Sequence, residues 1–195
     1  MRLISSVLSV VIILWSAGSA FAADYEVDPS HSSVGFKVKH LAISSVSGRF
    51  TTFTGSFTFD PANIAASKAE AQIVATSVNT EQTKRDDDLR SEGFFEVVKF
   101  PSITFKSTKI EPVTADEFKA IGDLTIHGVT KAVTLVVHYG GSAKDPWGHE
   151  RAAFTATTRI NRKDFGLNYN KLLETGGLVV GDDVDITLEV EGIKK

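Results

Sequence analysis

Five histidines are the first side chains in this sequence whose chemistry needs an interpretation. They are His31, His40, His127, His138 and His149. A metal site or a metalloenzyme centre requires ligands at short fixed spacings, such as H-x-H or HExxH, and none of these patterns occurs. The sequence therefore predicts no metal and no cofactor. His40 remains a candidate polar contact because it shares its alternation with Phe36 and Val38, although a hydrogen-bonded structural histidine explains it equally well.

Arginines and aspartates form the second set of candidates. They are Arg49, Arg85, Arg162, Asp86 and Asp164. One interpretation is that an arginine holds an anionic or polar head group through bidentate hydrogen bonds. The interpretation we favour is a structural knot of ion pairs that fastens a helix to the barrel, for example Arg162 with Asp86. No G-x-S-x-G elbow and no glycine-rich phosphate loop is recognisable, so the sequence predicts no catalytic residues.

Composition excludes several classes of protein. The chain has 195 residues, no cysteine and a formal net charge of −3. Without cysteine there is no disulfide, no thiolate metal site and no thiol nucleophile. Nucleic-acid-binding proteins usually carry a basic patch, so the mild acidity argues against nucleic acid as a partner.

The first 22 residues have the pattern of a cleaved signal peptide. A positive residue precedes an apolar stretch, and Ala20 and Ala22 occupy the positions of an A-x-A cleavage site, which places the cut after Ala22. Serines interrupt the apolar stretch, which is shorter than the roughly 20 residues needed to span a bilayer. We therefore expect an exported protein with no stable membrane anchor, whose residues 23–195 form one domain.

Period-two alternation dominates the rest of the chain and predicts eight antiparallel strands. "DVDITLEVEGI" is the clearest case, with Val184, Ile186, Leu188 and Val190 on one face. Eight evenly spaced strands are typical of a closed barrel or a sandwich, and alternation alone does not distinguish the two. In the segment from Phe50 to Phe59 the alternation changes phase, and we place the bend at Gly55.

One segment, "TEQTKRDDDLRSEGFF", does not alternate and predicts a short helix over about residues 81–91. Thr83 is its expected N-cap, Asp86 and Arg90 its expected i,i+4 ion pair, and Gly93 its expected terminator. Phe94 and Phe95 would then turn inward. The helix acts either as a lid at the barrel mouth or as a surface helix whose phenylalanines complete the core, and both readings stay open.

Several motifs in their order resemble the YceI-like family over the whole mature chain. These are "DPSHSSVGFKVKHL", "RDDDLRSEGFFEVVKFPSITFKST", "GDLTIHGVTKAVTLVV", "DPWG", "INRKDFGL" and "VGDDVDITLEVEG". Asp88 and Ala132 depart from the family pattern, which often has His and Pro there. The resemblance implies an all-β, eight-stranded, lipocalin-like antiparallel barrel in the bacterial periplasm that binds a polyisoprenoid.

With that resemblance, the expected function is an exported, non-catalytic carrier of a long-chain amphiphilic lipid, of the polyprenyl or isoprenoid quinone type. The candidates for contact with its apolar tail are Phe36, Phe50, Phe57, Phe94, Phe95, Phe105, Leu124 and Ile126. The alternatives are a small-barrel hydrolase or other enzyme with an unrecognised site, and a structural envelope protein with a filled barrel. A homodimer is compatible with the sequence.

Overall fold

The computed structural model describes residues 22–170 and 179–195. The predicted signal peptide therefore lies outside the described residues, except for Ala22. The strands are β1 (Ala23–Val27), β2 (Ser33–His40), β3 (Ser44–Phe50), β4 (Phe53–Phe59), β5 (Lys68–Val74), β6 (Val78–Asn79), β7 (Ser102–Pro112), β8 (Glu117–Ile126), β9 (Val129–Lys144), β10 (Glu150–Asn161) and β11 (Val180–Lys194). The helix α1 spans Thr83–Arg90. None of the described helices is long and apolar enough to cross a membrane.

Eight of the strands form a closed antiparallel ring, which confirms the predicted barrel. Its order is β1-β4-β5-β7-β8-β9-β10-β11, and β11 pairs back to β1 through Val27 and Gly192. Strand β2 pairs with the same edge of β11 as β1 does, but nearer to the start of β11. The other edge of β2 pairs with β3. Strand β6 adds a short pair to β3. The strands additional to the ring are therefore extensions at one end of the barrel.

The bend that was expected at Gly55 lies instead at Thr51 and Thr52, between β3 and β4. There the backbone N–H of Thr51 donates to the carbonyl of Ser77 at 3.1 Å, and the N–H of Thr52 donates to the Ser77 hydroxyl at 3.1 Å. Gly55 lies inside β4, where a Cβ atom would be only 3.0 Å from the carbonyl oxygen of Glu70. Gly55 therefore allows β4 and β5 to approach each other closely, and it does not bend the strand.

One end of the barrel, where β11 ends, is filled by aromatic side chains. We call the cluster of Tyr25, Phe59, Phe118, Tyr139 and Phe154 the aromatic end. The Phe59 ring centroid lies 5.0 Å from that of Phe154 in an edge-on arrangement and 4.7 Å from that of Tyr139. Such pairs stabilise a core beyond the area they bury. This end has the character of an ordinary packed interior.

The opposite end, where β7 begins and β8 ends, is covered by α1 and the residues after it. We call it the helix end. Its buried residues are Phe50, Val78, Ile103, Leu124, Ile126, Ile160, Phe165 and Leu167. Leu89 of α1 and Phe95 pack against this group. The helix and its following phenylalanines thus lie over the barrel interior, as the sequence predicted.

The N-terminus of α1 differs from the prediction. Gln82, not Thr83, is the N-cap, and its side-chain oxygen accepts a hydrogen bond from the backbone N–H of Arg85 at 2.5 Å. The predicted ion pair between Asp86 and Arg90 does not form, because Asp86 points into the protein and Arg90 instead meets Asp87 at 3.0 Å.

The C-terminus of α1 also differs. Ser91 is the C-cap, and both its backbone N–H and its hydroxyl donate to the carbonyl of Asp88, at 3.1 and 2.6 Å. Gly93 is not among the residues with positive φ, so it does not terminate the helix in the left-handed conformation. The Ser91 hydroxyl therefore satisfies a free backbone carbonyl at the end of the helix, where Gly93 was expected to terminate it.

Candidate functional site

An apolar cavity of about 210 Å³ lies inside the helix end of the barrel. We call it the upper cavity. Aliphatic and aromatic side chains from every part of the ring line it, and among the described lining residues only Thr158 and Arg162 have polar side chains. An interior of this kind favours hydrocarbon and disfavours any unpaired charge. The cavity is therefore suited to an apolar chain.

Seven of the eight residues predicted to contact an apolar tail line the upper cavity. They are Phe36, Phe50, Phe94, Phe95, Phe105, Leu124 and Ile126. The strand residues among them face inward because the period-two alternation places every second side chain inside a closed barrel. Phe57 lies elsewhere, stacked on Tyr25 with a centroid distance of 4.9 Å.

Phe57 belongs to a second, smaller cavity of about 130 Å³ toward the aromatic end. We call it the lower cavity. Small side chains, including Ala69, Ala120 and Ala156, line this space together with the rings of Phe118 and Phe154. The alternation pattern did not predict a second cavity.

Phe94 and Phe95, which follow α1, cover the upper cavity. Both are half-buried, and both line the cavity. The Phe95 ring packs against that of Phe50 at 5.8 Å, and the Phe94 ring packs against that of Tyr169 at 4.6 Å. The segment after the helix therefore spans from β3 to the chain beyond β10. This is the geometry of a cover over the mouth.

Arg162 is buried at the edge of the upper cavity, and its donors are used by the protein itself. Its Nε donates to the carbonyl of Gly181 at 2.9 Å, its Nη1 to the carbonyl of Leu167, and its Nη2 to Asp182 at 3.1 Å. Burial lowers the pKa of Arg162 and Asp182 opposes that shift, yet an arginine stays charged. Arg162 thus ties the start of β11 to the turn after β10 as a structural knot.

The partner predicted for Arg162 was wrong. Asp86 is buried under α1, where its Oδ1 accepts hydrogen bonds from the backbone N–H of Thr80 at 2.8 Å and from the Thr80 hydroxyl at 2.5 Å. Arg85 completes this group by donating from Nε to the same hydroxyl at 2.7 Å. Asp86 and Arg85 therefore fasten α1 to the chain before it. The carboxylate has no need of a distant arginine.

We expect Asp86→Ala to destabilise the protein by about 1.5–3 kcal/mol, because it removes two hydrogen bonds to a buried charged group. The exposed Asp88 lies on the same helix and provides the matched control. Asp88→Ala is expected to change the free energy of unfolding by less than about 0.5 kcal/mol. Urea unfolding of both variants measures the difference. Equal effects would mean that Asp86 does not anchor the helix.

The other predicted polar residues lie away from the cavity wall. Arg49 points outward from β3 and its Nη2 is 4.0 Å from the Glu81 carboxylate, a distance that contributes little at an exposed site. Asp164 is exposed in the turn after β10. The backbone carbonyl of His40 accepts from the Ser44 hydroxyl at 3.3 Å and the Ile43 N–H at 3.2 Å, which fixes the β2–β3 turn.

A charged group that the sequence analysis missed surrounds Arg151 on the outer face. Its guanidinium contacts Asp28 at 2.8 Å, Asp145 at 2.9 Å and Glu191 at 2.6 Å. Ligand atoms of Asp28, Glu191 and His31 lie within 4.8 Å of one another, a spacing that also suits a cation. Here the Arg151 guanidinium supplies the positive charge. The repeated Asp-Pro followed by His in "DPSH" and "DPWGH" was the available sign in the sequence.

Hydrogen bonds lower the pKa values of the two aspartates in this group. For Asp28 the largest cause is the hydrogen bond from Arg151, followed by that from His31. Burial raises the pKa of Asp145, but donors from Arg151 and His149 outweigh it and hold the pKa well below its ordinary range. Both carboxylates therefore remain charged under mildly acidic conditions.

The sign of the resulting pH dependence follows from these depressed pKa values. The stabilisation is complete above the ordinary carboxyl pKa of about 4 and is lost as the pH falls toward the folded-state values. We expect Arg151→Met to lower the unfolding midpoint at pH about 7, and this deficit to shrink as the pH approaches about 2. Thermal unfolding across this pH range tests the expectation. A deficit that stays constant would show that the aspartates are not coupled to Arg151.

A further concavity, of about 380 Å³, is lined by β1, β4, β5 and β7. Charged residues, including Lys68, Glu70 and Lys106, dominate its rim, and strand alternation directs their side chains outward. It offers no continuous apolar wall. The upper cavity is therefore the stronger candidate for a ligand site.

Comparisons with known proteins agree with this architecture. The model of the YceI-like domain matches residues 25–192. The chain is 42% identical over 190 residues to Protein YceI of Escherichia coli O6:H1, covering 96% of each chain. The crystal structure of the Campylobacter jejuni YCEI protein superposes with a TM-score of 0.69 at 37% identity, covering 86% of this chain and 96% of that one.

A more distant neighbour shares the fold alone. It is a polyisoprenoid binding domain from Saccharophagus degradans, with a TM-score of 0.61 at 18% identity, covering 88% of this chain and 98% of that one. The closed eight-stranded ring, the helix over its mouth and the match over residues 25–192 lead to one conclusion. The chain belongs to the YceI-like family.

Proposed function

We propose that the protein is an exported, non-catalytic binding or carrier protein of the periplasm, which holds the tail of a long-chain amphiphilic lipid, of the isoprenoid type, inside the barrel. The observation that carries the proposal is the apolar wall of the upper cavity. Arg162 is the one charged side chain among its described lining residues, and all three guanidinium nitrogens donate to protein acceptors. A charged head group would find no partner there, whereas a hydrocarbon tail finds a continuous apolar surface.

The volume of the upper cavity limits how much tail it holds. At about 30 Å³ per water-sized group, 210 Å³ accommodates roughly seven methylene-sized groups. Each buried methylene contributes about 0.8 kcal/mol, so this part of the tail contributes about 6 kcal/mol before the cost of association. A chain of several isoprene units is longer than this. Its remainder passes beyond α1, toward the head group.

The polar head then lies at the helix end, outside the apolar wall. The cover formed by Leu89, Phe94 and Phe95 separates the cavity from solvent there. These side chains sit on α1 and the segment after it, outside the closed ring of strands. Movement of this cover admits a ligand without breaking the backbone hydrogen bonds between strands of the ring.

The isoprenoid part of the proposal draws on the Saccharophagus degradans fold neighbour and on the family resemblance. A wall of aliphatic and aromatic side chains accepts prenyl and acyl tails alike. Among the described residues that line the cavity, no nucleophile stands beside a general base, so the proposed role is binding rather than catalysis.

Titration with cis-parinaric acid, whose fluorescence rises in an apolar site, tests the proposal. We expect saturable binding at one molecule per chain and competition by geranylgeraniol. The competing alcohol also shows whether a prenyl tail enters. A fluorescence change that does not saturate, or that geranylgeraniol cannot reverse, would contradict an interior site for a prenyl chain.

A further inference from the structure

Phe105, on β7, lies at the boundary between the upper and lower cavities. Its side chain lines both of them. It is also the one partly buried apolar residue, among those the structure describes, that packs against both the aromatic-end cluster and the helix-end cluster. The two cavities share further wall residues on either side of it, namely Val27, Ala71, Leu135, Leu188 and Val190. The Phe105 ring therefore lies at the junction where the two cavities meet.

Small neighbours fix the position of the Phe105 ring at this junction. In the sheet, Phe105 pairs with Ala71 on β5 and with Leu124 on β8. A Cβ atom at Gly122 would lie 2.6 Å from the Phe105 ring and 2.4 Å from the carbonyl oxygen of Lys106. Only a residue without a side chain fits there, so Gly122 lets the ring lie against the backbone of β8.

We propose that Phe105 determines the length of tail that the barrel accepts. The inference rests on the proposed function, because it concerns the same interior site. With the ring in place, a tail fills the upper cavity and stops. Without the ring, the tail continues into the lower cavity, whose 130 Å³ correspond to about four more methylene-sized groups.

Competition against cis-parinaric acid by saturated fatty acids, from butanoic to hexadecanoic, measures the accepted length. Affinity should rise about fourfold per methylene until the cavity is full, and then level off. In the wild type we expect this break early in the series. In Phe105→Ala it should move to longer chains by at least about four carbons. Phe105→Leu, which keeps an apolar core side chain, should give a smaller shift in the same direction.

Two further variants distinguish the loss of the Phe105 ring at the junction from a general increase in cavity volume. Phe36 lines the upper cavity only, so Phe36→Ala should move the break by no more than the volume of its own ring. Ala156 lines the lower cavity only, so Ala156→Leu should leave the wild-type break unchanged. Combined with Phe105→Ala, Ala156→Leu should return the break toward the wild-type length, because it fills the space that the first change opens.

The outcomes distinguish the inference from the proposed function. A wild-type break that stays in place in Phe105→Ala and Phe105→Leu would overturn the role of Phe105 while leaving the lipid site intact. So would a wild-type affinity that rises without a break through hexadecanoic acid. If no fatty acid displaces the probe from the wild type at any length, the interior site itself is wrong and the inference fails with it.

Discussion

Val184→Trp is expected to weaken the binding of cis-parinaric acid about fiftyfold while leaving the barrel folded. Val184 is a half-buried residue of β11 that lines the upper cavity. A tryptophan there occupies the space of about three more methylene-sized groups than a valine. At about 0.8 kcal/mol each, the displaced part of the tail costs about 2.4 kcal/mol of binding free energy. The empty volume of the cavity accommodates the larger side chain.

The matched control is Thr187→Trp, on the same strand but on the exposed face. It adds the same indole outside the barrel and should leave the dissociation constant within about twofold of the wild type. Fluorescence titration of both variants, with thermal unfolding to confirm the fold, makes the comparison. If both variants bind as the wild type does, the probe does not occupy the upper cavity.

Arg162→Ala is expected to destabilise the protein by about 3–5 kcal/mol, the effect of breaking a buried ion pair. The change leaves the carbonyls of Gly181 and Leu167 without the guanidinium donor, and Asp182 keeps only its contact with Lys163. For a chain of this size the unfolding midpoint should fall by about 10 °C or more. The loss is large because one guanidinium holds the start of β11 to the turn after β10.

Lys163→Ala is the control for this prediction, because its ammonium contacts the same Asp182, at 2.8 Å, from a more exposed position. That contact should be worth no more than about 1 kcal/mol. Calorimetric unfolding of both variants tests the difference. Near-wild-type stability of Arg162→Ala, together with a loss of lipid binding, would mean that the arginine serves a ligand rather than the fold.

The strands were predictable from the sequence because alternation is a local property. Val34, Phe36 and Val38 alternate with lysines on β2, and the structure places them inward. Closure of the barrel is not local. It depends on pairs such as Val27 with Gly192, which are far apart in the chain and leave no pattern in either segment. The distinction between a sandwich and a barrel therefore came from the family resemblance.

The helix shows the same division between local and distant effects. Its position was predicted from the loss of alternation, but its contacts were not. Asp86 faces inward because Thr80, outside the helix, offers two donors to its carboxylate. Arg162 pairs with Asp182 because the start of β11 lies beside the end of β10. Neither partner could be chosen from spacing along the chain.

Within the candidate site, seven of the residues that line the upper cavity were predictable because inward-facing apolar residues are visible as a pattern. The partition at Phe105 was not, since it depends on how a ring on β7 lies over a glycine on β8. The group around Arg151 was missed for a similar reason. It gathers side chains from the turn after β1, the turn after β9 and the strands β10 and β11.

Native mass spectrometry of the mature protein, purified without detergent and then incubated with geranylgeraniol, tests the central claim most directly. We predict a single added mass equal to one prenyl alcohol per chain, and its loss in Val184→Trp but not in Thr187→Trp. The paired variants place the bound molecule inside the upper cavity rather than on the surface. A spectrum that shows only the bare chain, or equal uptake by both variants, would contradict a lipid tail held inside this barrel.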